Sequence, residues 1–220
     1  ISRADRKNII EKIKGLLICN ISIVTYSTLD NIVISSFVGL TAVATYTNYM
    51  TIYKAVNQLI VMIRSAMQSS VGNSIAKETI EKNLNDVFLW QFLFTIIATW
   101  CSSCLLCLFQ PFMAVWMGKD MLLPMRDVLL IVIWFMVDIV QQAYFLYLTG
   151  AGMWNELKYS YIFNTCCNLI MNICLGKNLG ITGILIASLV TCIISGTFWQ
   201  CTIIFKTYFK ISPKKYIGLQ

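Results

Sequence analysis

Long apolar blocks alternate with short polar segments along the whole chain. Each block approaches the ~20 residues that an α-helix needs to cross a hydrocarbon layer of about 30 Å. Backbone polar groups must be paired within lipid, so each block is expected to be helical. Six membrane-spanning helices are therefore predicted, at residues 16–38, 43–63, 87–109, 128–149, 157–176 and 180–204. The pattern predicts an all-α, polytopic membrane helix bundle, preceded by an approach segment at 1–15 and followed by a basic tail at 205–220.

Chain-breaking residues separate the apolar blocks. Gly39 follows the first block, Pro111 follows the third, and Gly180 separates the fifth from the sixth. The longest connection, at 64–86, is predicted to lie on the cytoplasmic side. Its segment 74–86 mixes charged and apolar residues, which predicts a short helix lying in the membrane interface.

Composition supports the membrane assignment and argues against a metal site. The chain is 58% hydrophobic and only 12% charged, with a mean hydropathy of +0.71. A soluble domain carries roughly twice that charge. Nine cysteines fall mostly inside the apolar blocks, and the chain has no histidine. We therefore interpret the cysteines as small packing residues and predict neither a metal nor another resident cofactor.

The positive charge predicts an orientation in the membrane. The net charge is +7, and 13 of the 17 lysines and arginines fall on the side that carries both chain ends. Three lie on the opposite side, and Lys54 lies inside a block. Cytoplasmic loops carry the excess of such residues, so both termini are predicted to be cytoplasmic. The lipid bilayer explains the basic balance, and no nucleic-acid partner is expected.

Ionisable residues inside the predicted spans are candidates for function. Asp30, Lys54 and Asp138 lie at membrane depth, where charged groups are costly and mark transport pathways. Lys54, together with Arg64 at the end of the second span, would bind an anionic substrate, while Asp30 or Asp138 would take up H⁺ or Na⁺. Two structural alternatives stay open: a buried ion pair between Asp30 and Lys54, and snorkelling of Arg64 to the interface.

Uncharged polar residues recur at helical spacing on several spans. Such stripes predict that these helix faces converge on a shared interior. The alternative is that the amides bond between helices and act only as interhelical contacts. With the four ionisable residues, the candidate cavity-lining positions are Tyr26, Asn57, Gln58, Gln141, Asn164 and Asn168.

Five short segments, in chain order, resemble one family of membrane transporters. Residues 29–40 (Leu-Asp-Asn-Ile-Val-Ile-Ser-Ser-Phe-Val-Gly-Leu) and 43–49 (Val-Ala-Thr-Tyr-Thr-Asn-Tyr) resemble the opening of the second half of the polysaccharide biosynthesis exporters. Residues 70–73 (Ser-Val-Gly-Asn), 110–118 (Gln-Pro-Phe-Met-Ala-Val-Trp-Met-Gly) and 175–183 (Leu-Gly-Lys-Asn-Leu-Gly-Ile-Thr-Gly) resemble later motifs of that family. These exporters are oligosaccharide-lipid flippases of the multidrug/oligosaccharidyl-lipid/polysaccharide superfamily.

The resemblance implies a fold, a substrate and partners. It implies the C-terminal bundle of a two-bundle flippase, whose N-terminal transmembrane half would lie elsewhere. The substrate would be an undecaprenyl-diphosphate-linked oligosaccharide, a polyprenyl-diphosphate-linked glycan. It would be moved across the bacterial cytoplasmic (inner) membrane by alternating access, for O-antigen or capsule synthesis. A polysaccharide polymerase and glycosyltransferases would be its pathway partners.

Other functions remain open from the residues alone. Another transporter of the same superfamily, either a peptidoglycan-precursor flippase or a drug/cation antiporter, would share the same helices. A membrane-embedded transferase would need an acid/base constellation at the interface. The carboxylates of Asp30, Asp120, Asp127 and Asp138 are scattered along the sequence, so no catalytic residue is predicted and an enzyme is not expected.

Overall fold

The computed structural model describes residues 3–212, and within that range every long element is a helix. A short 3₁₀ turn at Lys119–Met121 and a π-helical segment at Ile193–Gln200 interrupt the α-helices. The α-helices are α1 Arg3–Phe37, α2 Leu40–Lys77, α3 Ile80–Trp116, α4 Met125–Val140, α5 Gln142–Gly150, α6 Trp154–Leu179, α7 Ile181–Cys192 and α8 Cys201–Thr207.

Several helices have the dimensions of membrane spans. Three segments are long and apolar enough to cross a bilayer, namely Ile9–Phe37, Ile80–Trp116 and Ile181–Thr207. The bent pair α4–α5 makes a fourth if it counts as one span. Helices α2 and α6 are long enough but more polar. The chain therefore has the helices of a membrane protein, and the predicted number of six spans stays a prediction.

The prediction for the connection between the second and third spans was wrong. Residues 64–86 form no loop with a separate interfacial helix, because α2 continues to Lys77 and α3 begins at Ile80. The chain turns at Glu78 and Thr79, and the Thr79 side chain accepts a hydrogen bond from the backbone N–H of Lys82. This bond caps the start of α3, so two long helices meet at a tight turn.

Other predicted boundaries also shift. The approach segment continues into the first apolar block as one helix, since α1 begins at Arg3. Pro111 lies inside α3, which runs on to Trp116. The predicted fourth span is two helices that meet at Gln141 with a bend of 40°. The tail is helical as far as Thr207, and its lysines at 214 and 215 lie outside the described residues.

The buried apolar side chains form two separate cores along the length of the bundle. The core near the turn between α1 and α2, called here the turn-end core, contains side chains of α1, α2, α3, α4, α5 and α7, among them Tyr49, Phe109, Ile131, Phe135 and Ile184. The other, called the terminal-end core, lies near both ends of the described chain. It contains side chains of α1, α2, α3, α5, α6 and α8, among them Cys19, Tyr144, Tyr147, Leu157 and Phe205.

Candidate functional site

A polar cavity of about 460 Å³ lies between α1, α2, α4, α5, α6 and the π-helical segment. All four ionisable residues singled out from the sequence line its wall: Asp30, Lys54, Arg64 and Asp138. Helices α1 and α2 contribute Asp30, Lys54 and Arg64, and α4 contributes Asp138 one turn before the bend. The fold thus brings two carboxylates and two cations to the wall of one cavity.

Asp30 is buried and accepts hydrogen bonds from three neutral side chains. The hydroxyl of Tyr46 donates to Oδ2 across 2.8 Å, and the amide of Asn172 donates to Oδ1 across 2.7 Å. The hydroxyl of Ser188 lies 3.5 Å from Oδ2. These donors come from α2, α6 and α7, so the carboxylate joins four helices.

The ion pair between Asp30 and Lys54, one of the two structural alternatives that the sequence left open, does not form. No salt bridge joins the two residues, although the positions of both side chains are described. The carboxylate is already satisfied by Tyr46, Asn172 and Ser188, and the Lys54 side chain is exposed on the cavity wall. Neutral donors therefore occupy the position that Lys54 would hold in the ion-pair alternative.

Asp138 has a matching set of neutral donors on α2. The hydroxyl of Tyr53 donates to Oδ2 across 3.0 Å, and the amide of Asn57 donates to the same oxygen across 2.7 Å. Tyr53 also packs against Trp134, with ring centroids 5.2 Å apart, so an aromatic wall adjoins the carboxylate. The amide of Gln142 donates to the backbone oxygen of Asp138 across 3.2 Å.

Arg64 lies in the cavity wall, which departs from the snorkelling interpretation. Its guanidinium carbon lies 4.7 Å from the centre of the Phe145 ring. A cation over an aromatic face gains attraction from the ring quadrupole. Its buried Nε has no hydrogen-bond partner among the described residues. Arg64 is therefore held by a ring and keeps a donor free.

Six further candidates divide into two groups. Tyr26, Asn57, Gln141 and Asn164 line the cavity, as the helical spacing predicted. Gln58 and Asn168 do not line it. Gln58 is exposed on another face of α2. Asn168 is fully buried, where it donates to Ser188 across 3.3 Å and accepts from Asn172 across 2.9 Å, so it bonds between and within helices.

Sequence reasoning missed the two tyrosines that hold the carboxylates. Tyr46 and Tyr53 are seven residues apart, which places them on one face of α2, two turns from each other. That face also carries Asn57, so a stripe of hydroxyl and amide donors was readable in the sequence. The stripe was missed because the prediction for this helix rested on the charge of Lys54, which lies to one side of it.

The described fold and cavity define a helical membrane protein with a charged, polar interior. No protein-family model, curated protein or solved structure matches the chain.

Proposed function

We propose that this chain is one half-bundle of a flippase for lipid-linked oligosaccharides. In this proposal six spans cross the bacterial cytoplasmic membrane with both termini in the cytoplasm. The transported molecule is an undecaprenyl-diphosphate-linked glycan, which a second, N-terminal bundle encloses from the other side. Movement follows alternating access between the two bundles.

The observation that carries the proposal is the charged cavity inside an apolar bundle. Asp30, Lys54, Arg64 and Asp138 share one space of about 460 Å³. Ionisable groups at membrane depth are costly and usually line a pathway. A cavity of a few hundred Å³ is the size of a small-molecule site. A purely structural bundle gains nothing from that arrangement.

The polarity of α2 and α6 supports six spans. These helices are less apolar than a lipid-facing span, and their polar side chains account for the difference. Asn57 and Asn164 face the cavity, while Asn168 and Asn172 bond in the interior. A helix whose polar side chains face the neighbouring helices can cross a membrane as part of a bundle, because those side chains do not contact lipid.

The cations suit a diphosphate. Lys54 is exposed on the cavity wall and forms no ion pair with any side chain in the described part of the chain. Arg64 retains an unpartnered Nε. Both are therefore available to an anionic headgroup that must pass through a low-dielectric layer. The tyrosines and Trp134 on the same wall offer aromatic surface and hydroxyl groups to the sugars.

The carboxylates suit coupling to an ion gradient. Asp30 and Asp138 are hydrogen-bonded by neutral donors, and among the residues that the structure describes no cationic side chain lies within ion-pair distance of either one. Binding of H⁺ or Na⁺ would neutralise a carboxylate without first breaking a salt bridge. Asp138→Asn is expected to make transport insensitive to the gradient, and an unaltered dependence would exclude Asp138 as the coupling group.

The test is export in a bacterium that lacks its own flippase for undecaprenyl-diphosphate-linked repeats. The whole reading frame that contains this chain is expressed, and surface polysaccharide is measured by immunoblot. We expect export to be restored, and Lys54→Ala to remove at least nine-tenths of it, about a tenfold loss, since one charge contact is worth about 1.4 kcal/mol or more.

A matched lysine serves as the control. Lys206 is exposed on α8 outside the cavity, and Lys206→Ala should export normally. Membrane levels of each variant are compared by immunoblot of the chain. Normal export by Lys54→Ala at equal levels would remove Lys54 from the mechanism. Absence of export by the wild-type protein, inserted at normal levels, would contradict the flippase proposal itself.

A further inference from the structure

Two helices change their geometry at the same level of the bundle. The bend between α4 and α5 falls at Gln141, where the helix axis turns by 40°. The last long helix is π-helical over Ile193–Gln200, between α7 and α8. π-helical turns are rare and are frequent at functional sites. No proline accounts for either irregularity, because none lies in these stretches.

Both irregularities lie at the boundary between the two cores. On the bent span, Ile139 and Ala143 belong to the turn-end core, and Tyr144 belongs to the terminal-end core. On the last helix, Leu185 belongs to the turn-end core and Cys201 belongs to the terminal-end core. The bundle therefore has a turn-end half and a terminal-end half, which are packed around different cores. Helices α1, α2 and α3 pass from one half to the other unbroken, whereas these two helices change shape there.

The side chain of Gln141 connects the two irregular segments. Its amide donates to the backbone oxygen of Cys192 across 3.2 Å and to the hydroxyl of Thr197 across 3.1 Å. Its Oε1 occupies the space where Gly196 has no side chain, since a Cβ there would overlap that oxygen. The Gln141 side chain thus inserts into the π-helical segment, and only glycine at position 196 leaves room for it.

The polar cavity lies at this same level. Gln141, Gln142, Ser195, Gly196 and Gln200 all contribute to its wall. Buried polar atoms near the bend lack partners among the described residues, including Oε1 of Gln142 and Oδ1 of Asn57. Unpaired buried groups disfavour the conformation that holds them, because each loses its hydration without compensation. The region between the cores therefore holds buried polar groups that are not satisfied in this conformation.

We infer that the contact between Gln141 and Gly196 is a pivot, about which α5 and α8, in the terminal-end half, tilt against α4 and α7 and so change the width of the polar cavity. A helix break lets the segments on its two sides change their relative angle without disturbing the packing inside each core. The inference goes beyond the proposed function, because it needs no particular substrate. It requires only that these segments adopt more than one relative orientation.

The test measures distances between spin labels in the full chain, reconstituted in lipid nanodiscs. Labels on a ketone-bearing unnatural amino acid leave the native cysteines in place. One pair spans the pivot, at the exposed positions Leu179 and Lys206, and a second pair, Lys119 and Leu179, lies within the turn-end half. Double electron–electron resonance is expected to give two components, or one broad distribution, for the first pair and a single narrow distribution for the second.

Substitutions at the contact should change only the pair that spans the pivot. Gly196→Ala, whose methyl group overlaps Gln141, is expected to reduce the first pair to one component. Gly72→Ala is the matched control, because its nearest neighbour would be the Gly150 oxygen at 3.9 Å, and it should leave both distributions unchanged. Gln141→Ala removes the insertion without a clash and should broaden the first distribution.

The outcomes separate cleanly. A single narrow distribution across the pivot in the wild-type chain would overturn the inference, as would the same distribution in wild type, Gly196→Ala and Gln141→Ala. If Gly196→Ala does not fold, the Gln141→Ala comparison decides alone. Export measurements do not enter, so failure of the pivot and failure of the flippase proposal are distinguishable.

Discussion

Asn172 donates its side-chain amide hydrogen to Oδ1 of Asp30 across 2.7 Å, and this bond joins α6 to α1 inside the bundle. Both residues are buried, with 0% of Asn172 and 3% of Asp30 exposed. The same amide also donates to Asn168 across 2.9 Å. Asn172 therefore holds the carboxylate within a network of neutral groups, which is how an aspartate is accommodated here without a paired cation.

Removal of the Asn172 amide should destabilise the bundle. Asn172→Ala leaves a buried carboxylate oxygen without its shortest donor, and the loss of such a bond costs roughly 1–3 kcal/mol. We expect a lower midpoint of thermal unfolding, measured by circular dichroism in detergent micelles. Asn178→Ala is the control, because Asn178 is exposed on the same helix and bonds only to the Cys174 oxygen one turn away. Equal midpoints for the two variants would show that the network contributes nothing to stability.

The close approach of α6 and α7 predicts a second site of sensitivity. A Cβ at Gly183 would overlap the backbone oxygen of Leu175, which cannot move aside as a flexible side chain can. Gly183→Ala should therefore destabilise the chain by about 1–3 kcal/mol, the usual cost of overpacking. Gly72→Ala, with open space around the new methyl group, should be neutral or slightly stabilising, because alanine has a higher helix propensity than glycine. Denaturant titration of both variants checks the contrast, which would fail if Gly183→Ala matched Gly72→Ala.

Asn83 fastens the turn between α2 and α3 to the end of α8. Its fully buried amide nitrogen lies within hydrogen-bond distance of the backbone oxygens of Ser74 and Thr79, 3.2 Å from each, and of the Tyr208 hydroxyl at 3.1 Å. Its amide oxygen accepts a hydrogen bond from the Ser74 hydroxyl across 2.9 Å. Asn83→Ala removes all of these contacts at once. Backbone amides of the turn and of the end of α8 should then exchange about tenfold faster or more, since local opening becomes easier by at least ~1.4 kcal/mol.

The readout is hydrogen exchange followed by mass spectrometry on the chain in nanodiscs. Asn85→Ala is the matched control, because Asn85 is exposed two residues further along the same helix. Faster exchange should be confined to peptides from the turn and from α8 in the Asn83 variant. Unchanged exchange at α8 in that variant would show that the Tyr208 bond does not hold the helix end.

The sequence predicted where helices lie better than how they end. Hydropathy located the long apolar helices because a run of apolar residues needs no partner to be recognised. The turn at Glu78 and Thr79 was missed because charged residues around it read as an interfacial segment, whereas one hydroxyl cap suffices to start α3. No proline or glycine lies beside Gln141 that would predict the bend from the sequence. The bend depends on a residue 55 positions away, Gly196, and no local pattern carries that information.

The candidate cavity was predictable to the extent that helix rotation is. Lys54 and Asn57 face the cavity, but Gln58 does not. An α-helix with 3.6 residues per turn rotates about 40° over four residues, so a stripe at i, i+4 drifts around the helix. Gln58 therefore lies outside the cavity-facing side of α2, on which Met50 and Asn57 lie. The prediction for Asn168 was wrong for another reason. Ser188 on α7 lies close enough to accept a hydrogen bond from Asn168, and that proximity depends on tertiary packing.

The cysteines allow a direct test of whether the exposed helix faces contact lipid. Cys104, Cys107, Cys166 and Cys174 are exposed side chains of α3 and α6. Maleimides react with the thiolate, which requires water, so a thiol that faces hydrocarbon is unreactive even when no protein covers it. We expect these four to resist a water-soluble maleimide–polyethylene glycol in nanodiscs and to react fully after addition of sodium dodecyl sulfate, as gel shifts would report.

The Lys82→Cys variant provides the positive control for that measurement. Lys82 lies in the first turn of α3 and is exposed beside Glu78, with which it forms an ion pair across 2.9 Å. A thiol there should react within minutes before any denaturant is added, because the turn between α2 and α3 is predicted to lie in water. If Cys104 and Cys107 reacted as fast as that thiol in the folded chain, α3 would be bathed in water over its central turns, and the membrane assignment of its 37 residues would have to be abandoned.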